Sequence, residues 1–218
     1  MKRKSFIQDI LDFCVQYDET DFNFISRLME REGIFYFFQQ DQETHKLVLA
    51  DSPSAHVPCP NAATASFQDS ALEDQMMLKV GSCFITQRLV LQNNTLKSYN
   101  YLTPQTALKS LAAGNSDAGG GSVTRYRQIF DQQSRGDALA KIQLQSEELP
   151  QKMVEGVSTV PFFLAGYKFT LQKHPRDDAN KDYVLYETIH EAYLEPEGKG
   201  EHIYKNSYRA FSATIPFK

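Results

Sequence analysis

The chain of 218 residues has no tryptophan and only three cysteines, Cys14, Cys59 and Cys83. An odd number of thiols at wide, irregular spacing does not make a disulfide framework. Three partly buried thiols in a reducing cytoplasm are expected instead. No apolar run approaches the ~20 residues that a membrane-spanning helix needs, which argues against stable membrane insertion. The opening MKRKSFIQDILDF has a basic tip, but Asp9 and Asp12 interrupt its apolar residues. It contains neither a secretory h-region nor a small-residue cleavage site, so export would need a route without a cleaved signal. The net charge is -4, and no Lys/Arg block occurs beyond the first residues. That balance fits nucleic acid poorly.

Catalytic signatures are missing as well. There is no G-x-S-x-G, and GGGS at Gly119 to Ser122 lacks the Lys and the flanking strand and helix of a phosphate loop. Cys14 has no helix N-terminus or basic cluster beside it to activate a thiolate. Of five histidines (His45, His56, His174, His190 and His202), only His56 has metal-like spacing, to Cys59 in a Pro-rich loop. No second pair closes a tetrahedral site. His190-Glu191 is not H-E-x-x-H, and strand neighbours point to opposite faces. Glu147-Glu148 and Asp177-Asp178 sit where a solvated helix face or turn would place them. No catalytic, cofactor-binding or metal-ligating residue is assigned, and no cofactor is expected.

What is present is a composition of 41% hydrophobic and 23% charged residues, enough for one large domain or two modest ones. Fifteen Phe and eleven Tyr could form a ligand platform. Sugar sites often include Trp, however, and these rings fall at helix and strand core positions, with burial between subunits as the alternative for some of them, because core and obligate interface look alike in sequence. In FCVQYDETDFNFISRLMEREGIFYFF, residues 13 to 38, FCVQY alternates as a short strand. Thr20 is an N-cap with Asp21 in the first turn. Phe22, Phe24, Ile25, Leu28 and Met29 share one side of a helical wheel, and Gly33 suits the left-handed position that ends a helix. IFYFF, the polar turn QQDQETH and KLVLA make a hairpin, on which the helix is expected to pack.

Residues 51 to 75 carry three Pro and many small polar residues, the composition of a linker. MMLKVGSCFITQRLVLQNNTLKSYNYLT predicts two or three strands with turns near Gly81 and Asn93-Asn94. LAAGNSDAGGGSV predicts an exposed loop. A second helix is predicted near 134–149, with Ser134 and Asp137 as a variant capping box. Ala138, Leu139, Ile142 and Leu149 form its apolar stripe, and Pro150 stops it. STVPFFLAG, YKFTLQ, DYVLYETIHEAYLE and NSYRAFSATIPF read as β, with KHPRDDANKD as a long hairpin connection. Tyr167, Phe169 and Leu171 share one face of their strand. These readings make an α+β chain, β-rich in its second part.

The passages FCVQYDETDFNFISRLMEREGIFYFF and LVLADSPSAH closely resemble the VgrG (Vgr, Rhs-associated) family of type VI secretion spike proteins. That family is related to the contractile-phage tail hub and to phage late control protein D. Weaker resemblances occur in family order: YNYLTPQTAL, SRGDALAKIQLQSEEL, AGYKFTLQKHPRDDANKDYVLYETIHEA and YRAFSATIPFK. The resemblance implies a strand-helix-hairpin segment over 1–70. An antiparallel β-barrel of the tail hub type comes next over 71–218, with the helix near 134–149 inserted. It implies a non-enzymatic hub that works as a homotrimer with tube (Hcp-like) and baseplate proteins and with effector cargo. It also implies assembly in the bacterial cytoplasm and export through the type VI apparatus without a signal peptide. The family's first barrel, OB-fold and needle have no counterpart here, so a central fragment is expected. Two other readings are a phage or phage-derived hub and, from another class, a cell-wall-acting enzyme using His190 and Glu191.

Overall fold

A computed structural model describes residues 13–40, 43–68, 78–114, 120–126, 130–194 and 202–218. Helix α1 (Asp21–Glu32) starts and stops where its caps dictate. The Thr20 hydroxyl accepts the Asn23 N–H, and Gly33 at φ 65° returns its N–H to the Glu30 carbonyl. Strands β1 (Phe35–Gln40) and β2 (His45–Ala50) form the expected antiparallel hairpin, with Phe37 opposite Val48 and Tyr36 opposite Leu49.

Two expectations for this region fail. FCVQY is not a strand, because no described strand lies alongside to share a ladder. The segment is tied down by polar contacts instead. The Arg27 guanidinium donates to the Val15 carbonyl at 2.9 Å and pairs with Glu19 at 2.7 Å. Nor does α1 bury its apolar side on the hairpin. None of its residues is fully buried, and Phe22 and Ile25 remain 63% and 53% exposed. The Phe22 ring only touches Tyr36 edge-on, at 6.4 Å between centroids. The other neighbour of α1 is a helix, through the Glu32–Arg135 ion pair.

Next in chain order come β3 (Thr64–Phe67), β4 (Lys79–Val80) and β5 (Phe84–Gln87). An insert comes after them, made of β6 (Asn93–Ser98), β7 (Leu108–Ala113), β8 (Ser122–Arg125) and α2 (Gln133–Glu148). The chain returns with β9 (Lys152–Ser158), β10 (Lys168–Gln172), β11 (Asp182–Leu194) and β12 (His202–Ser212). Neighbours run β12-β11-β10-β3-β4-β9, and β9 pairs back onto β12, so the sheet closes into a barrel. β5 extends the line of β4 along β9. Most pairings are antiparallel, and β3 runs parallel to both β10 and β4. At the break between β4 and β5, the Ser82 carbonyl comes so close to β9 that a Cβ on Gly156 would lie 1.9 Å from its oxygen. Only glycine fits there.

Tyr167, Phe169 and Leu171 all face inward and are buried, as the alternation predicts. Phe169 packs on Phe163 at 4.5 Å and meets Tyr208 edge-on. Phe35 and Phe37 belong to this same buried cluster, so the inner face of the hairpin continues the barrel core. In the turn between β10 and β11, the Asn180 side chain accepts the His174 N–H at 2.8 Å and donates to the His174 carbonyl at 2.9 Å. The reading of KHPRDDANKD as a hairpin connection holds. STVPFFLAG is not a strand beyond Ser158. It forms turns, with Phe163 buried beneath them.

The insert is a three-stranded sheet, ordered β7-β6-β8, with α2 laid across it over Leu96, Leu108, Phe130, Leu139 and Ala140. Asn93-Asn94 opens β6 rather than making a turn. Asn94 is buried and polar because it bridges sheet and helix. It donates to the Ala140 carbonyl and to Gln143, and it accepts from Arg125 at 2.6 Å. The N-cap of α2 is Gln132, without a side-chain bond, so Ser134 caps nothing. Asp137 accepts from Gln133 at 2.9 Å. The buried stripe is Gly136, Leu139, Ala140 and Leu144, while Ala138 is exposed. The tip of the glycine-rich loop, 115–119, lies outside the described residues, and Ser122 and Val123 belong to β8.

Candidate assembly surface

The alternation in β1 divides its rings between two faces. Phe35 and Phe37 point into the core. Tyr36 and Phe38 point outward beside Leu49 and Leu47 of β2, their cross-strand partners. Leu47 and Leu49 are 51% and 56% exposed, and with Phe22 and Ile25 of α1 they complete an apolar face on one side of the molecule. Tyr36 lies 6.0 Å from Phe38, edge to face, so the rings brace one another. A soluble chain rarely leaves such a contiguous patch bare without a partner for it.

The outer wall of the barrel is the opposite in character. Arg209 on β12 lies 3.2 Å from Glu155 on β9 and 3.3 Å from Glu187 on β11, and Lys205 pairs with Glu191 at 2.8 Å. Charge ladders of this kind suit a solvated wall. Which rings make the apolar face is not legible in the sequence, where core and obligate interface look alike. The available signal is IFYFF itself: a hairpin strand apolar on both faces needs cover on both.

The residues weighed for chemistry are dispersed. His190 donates to or accepts from the Tyr204 hydroxyl at 2.6 Å, and its neighbour Glu191 pairs with Lys205 on the other face of the ribbon. Glu147 binds Arg125. Asp178 pairs with Arg176 at 2.8 Å, and the hydrogen bond from Arg176 holds its carboxyl below the usual range. Cys14 is exposed. His56 and Cys59 are both buried, His56 against Phe35 at 4.9 Å, and burial pushes the Cys59 thiol up to about 11. Among the described residues no three His, Cys, Asp or Glu side chains converge to hold a metal. No described helix is long and apolar enough to cross a membrane.

Comparison with known proteins identifies the family and agrees with the barrel fold. The family model of the phage tail baseplate hub (GPD) matches residues 2–195. The type VI secretion system spike protein VgrG1b of Pseudomonas aeruginosa is 29% identical over 188 residues, which cover 84% of this chain and 25% of that protein. The chain thus spans about a quarter of that relative's length. A 43 kDa tail protein of prophage MuSo2 from Shewanella oneidensis superposes with a TM-score of 0.61 at 9% identity, over 93% of this chain and 57% of that one. An E. coli type VI secretion component, described as similar to the T4 bacteriophage tail proteins gp27 and gp5, superposes with a TM-score of 0.55 at 14% identity, over 93% of this chain and 39% of that one. The chain belongs to the phage tail baseplate hub (GPD) family.

Proposed function

We propose that this chain is a structural hub segment of a VgrG-type spike at the tip of a type VI secretion apparatus. The observation that carries the reading is the family match over 2–195 together with the 29% identity to a secretion spike protein. The hub works by protein-protein contact and catalyses nothing. Three copies associate through the apolar face of α1 and the β1-β2 hairpin, while the charged outer wall of the barrel stays toward solvent. Tube (Hcp-like) and baseplate proteins stack on the hub, and effector cargo travels with the spike. The protein assembles in the bacterial cytoplasm and leaves through the apparatus without a signal peptide. A division at residues 1–70 and 71–218 gives the helix and hairpin to assembly and most of the barrel to the tube, with β3 of the first part lying within the barrel sheet.

A strain lacking the gene should cease to release tube protein into the medium, and re-expression should restore release. Undiminished release contradicts the proposal. A second reading, the hub of a phage or phage-derived tail, is favoured by the match to the phage baseplate hub family itself. Neighbouring genes separate the two, since sheath and membrane-complex genes mark secretion, and capsid and terminase genes mark a phage.

A further inference from the structure

The chain holds two strand edges without a partner, and each fits the other. The first borders a cavity of about 660 Å³ between α1, β1 and the barrel, open on one side. Its lining includes every residue from Ile34 to Phe38. Successive strand residues point to opposite faces, so a cavity on one face of β1 would touch alternate residues only. The cavity therefore runs along the edge of β1. Among the described residues β1 pairs only with β2, so the backbone groups on this other edge have no ladder partner. Leu164 and Ala165 form the barrel side of the cavity, and Met29 of α1 stands across from them.

The second edge belongs to the segment from Phe13 to Tyr17. It runs without bend or turn and first bends at Asp18. Its Val15 carbonyl accepts from Arg27 at 2.9 Å, and the Tyr17 N–H points at the Glu19 carboxylate. In a straight strand the backbone groups of residues i and i+2 share an edge, so the edge of Val15 and Tyr17 is turned to α1. The groups of Cys14 and Gln16 lie on the far edge, where no described strand pairs with them. Phe13, Val15 and Tyr17 share one face and are 84%, 46% and 85% exposed. Arg27, which clamps the segment, and Met29, which lines the cavity, are ~200° apart around α1. The clamp thus holds the segment on the side of α1 away from the cavity of its own chain.

We propose that residues 13–17 of one copy add as a strand to the free edge of β1 in a second copy. Phe13, Val15 and Tyr17 then face the cavity on the side of Phe35 and Phe37, and Cys14 stands outward beside Tyr36, Phe38 or Gln40. Main-chain bonds supply affinity in such a contact, and alternate side chains in the cavity supply specificity. Two aromatic side chains of about 150–250 Å² each make a large share of the ~800 Å² per partner that a stable interface buries. Each copy offers one strand and one cavity, which is a head-to-tail contact of the kind that closes as a ring. The contact is continuous with the outward apolar face, since Tyr36 and Phe38 belong to both. The inference rests on the reading of the chain as a self-associating hub and names the segment that passes between copies.

Cross-linking locates the strand, and a backbone variant tests its pairing. The full chain with its own Cys14 is mixed with Cys14→Ser chains that carry Tyr36→Cys, Phe38→Cys or Gln40→Cys, and each mixture is mildly oxidised. An adduct of two chains is expected with at least one of the three. None is expected with Thr124→Cys, exposed on β8 of the insert. Cys14→Pro removes one N–H from the free edge and should weaken self-association about tenfold. Cys14→Ser keeps that N–H and should leave association unchanged. Both variants should keep the unfolding midpoint of the native chain, because residue 14 is exposed. Light scattering separates the two ways of failing. The inference is overturned, and the hub reading left standing, by a mass that triples while none of the three adducts forms or while Thr124→Cys cross-links equally. The same holds if Cys14→Pro associates as tightly as Cys14→Ser. A mass that stays at one chain overturns both.

Discussion

Single side chains show where polar groups hold the barrel together. Asn206 is buried on β12, donating to the Val160 carbonyl at 2.7 Å and to the Tyr204 hydroxyl at 2.9 Å, and accepting from Ser158 at 2.7 Å. Replacing it by Leu takes away the acceptor of the Ser158 hydroxyl and the short bond to the Val160 carbonyl, leaving only the longer bonds from the Val160 N–H to Ser158 at 3.3 Å and from the Phe163 N–H to Val160 at 3.4 Å. Asn206→Leu should cost about 3 kcal/mol, read as a lowered urea midpoint at unchanged slope. His56 gives a pH dependence. Burial, aided by the positive charge of Lys168, lowers its pKa below the ordinary 6.5 despite the Gly166 hydrogen bond. Above about pH 6.5 neither the folded nor the unfolded chain protonates this group, and its contribution to stability is intact. As pH falls below that value, the unfolded chain takes up a proton that the folded chain refuses, so stability declines until the folded pKa is reached. Melting temperatures between pH 7.5 and 5 should therefore fall more steeply for the native chain than for His56→Phe.

At the scale of elements, the two faces of β1 predict opposite outcomes for adjacent substitutions. Phe37 is buried against Tyr167 and His56, and Phe37→Ser should cost about 3–5 kcal/mol in unfolding free energy. Phe38 points outward, and Phe38→Ser should shift the unfolding midpoint little in dilute protein but weaken self-association. Equal destabilisation by both would remove the outward face from the account. Periodicity and capping make α1 and the hairpin legible in the sequence, because Thr20, Gly33 and the alternation act within a few residues. What covers an apolar face is not legible, because Phe22 and Ile25 have the same pattern on a buried helix as on an interface helix. The Asn94 misreading has the same root. Local composition says turn, and only the packing of α2 across β6 makes that amide a buried bridge. The assembly surface is therefore hidden from sequence, although IFYFF holds its residues.

The whole molecule rests on pairings far apart in sequence. β9 closes the barrel on β12 through Ser158 opposite Asn206, and β3 enters parallel to β10 after a long connection. No periodicity encodes such closure, since each strand alone is compatible with an open sheet. For that reason only the resemblance to a known family predicts a barrel in the sequence, and the observed closure and the family match agree with it. The insert of β6, β7, β8 and α2 has its own small core and leaves the barrel ring unbroken. The apolar face and the charged wall lie on different parts of this scaffold, so assembly should proceed through one side. The most direct test is the mass of the chain by light scattering across a concentration series. The account predicts a reversible rise from the 24.8 kDa monomer to three times that mass, displaced to higher concentration by Phe38→Ser with Leu49→Ser. A mass that stays at one chain over the whole series contradicts it.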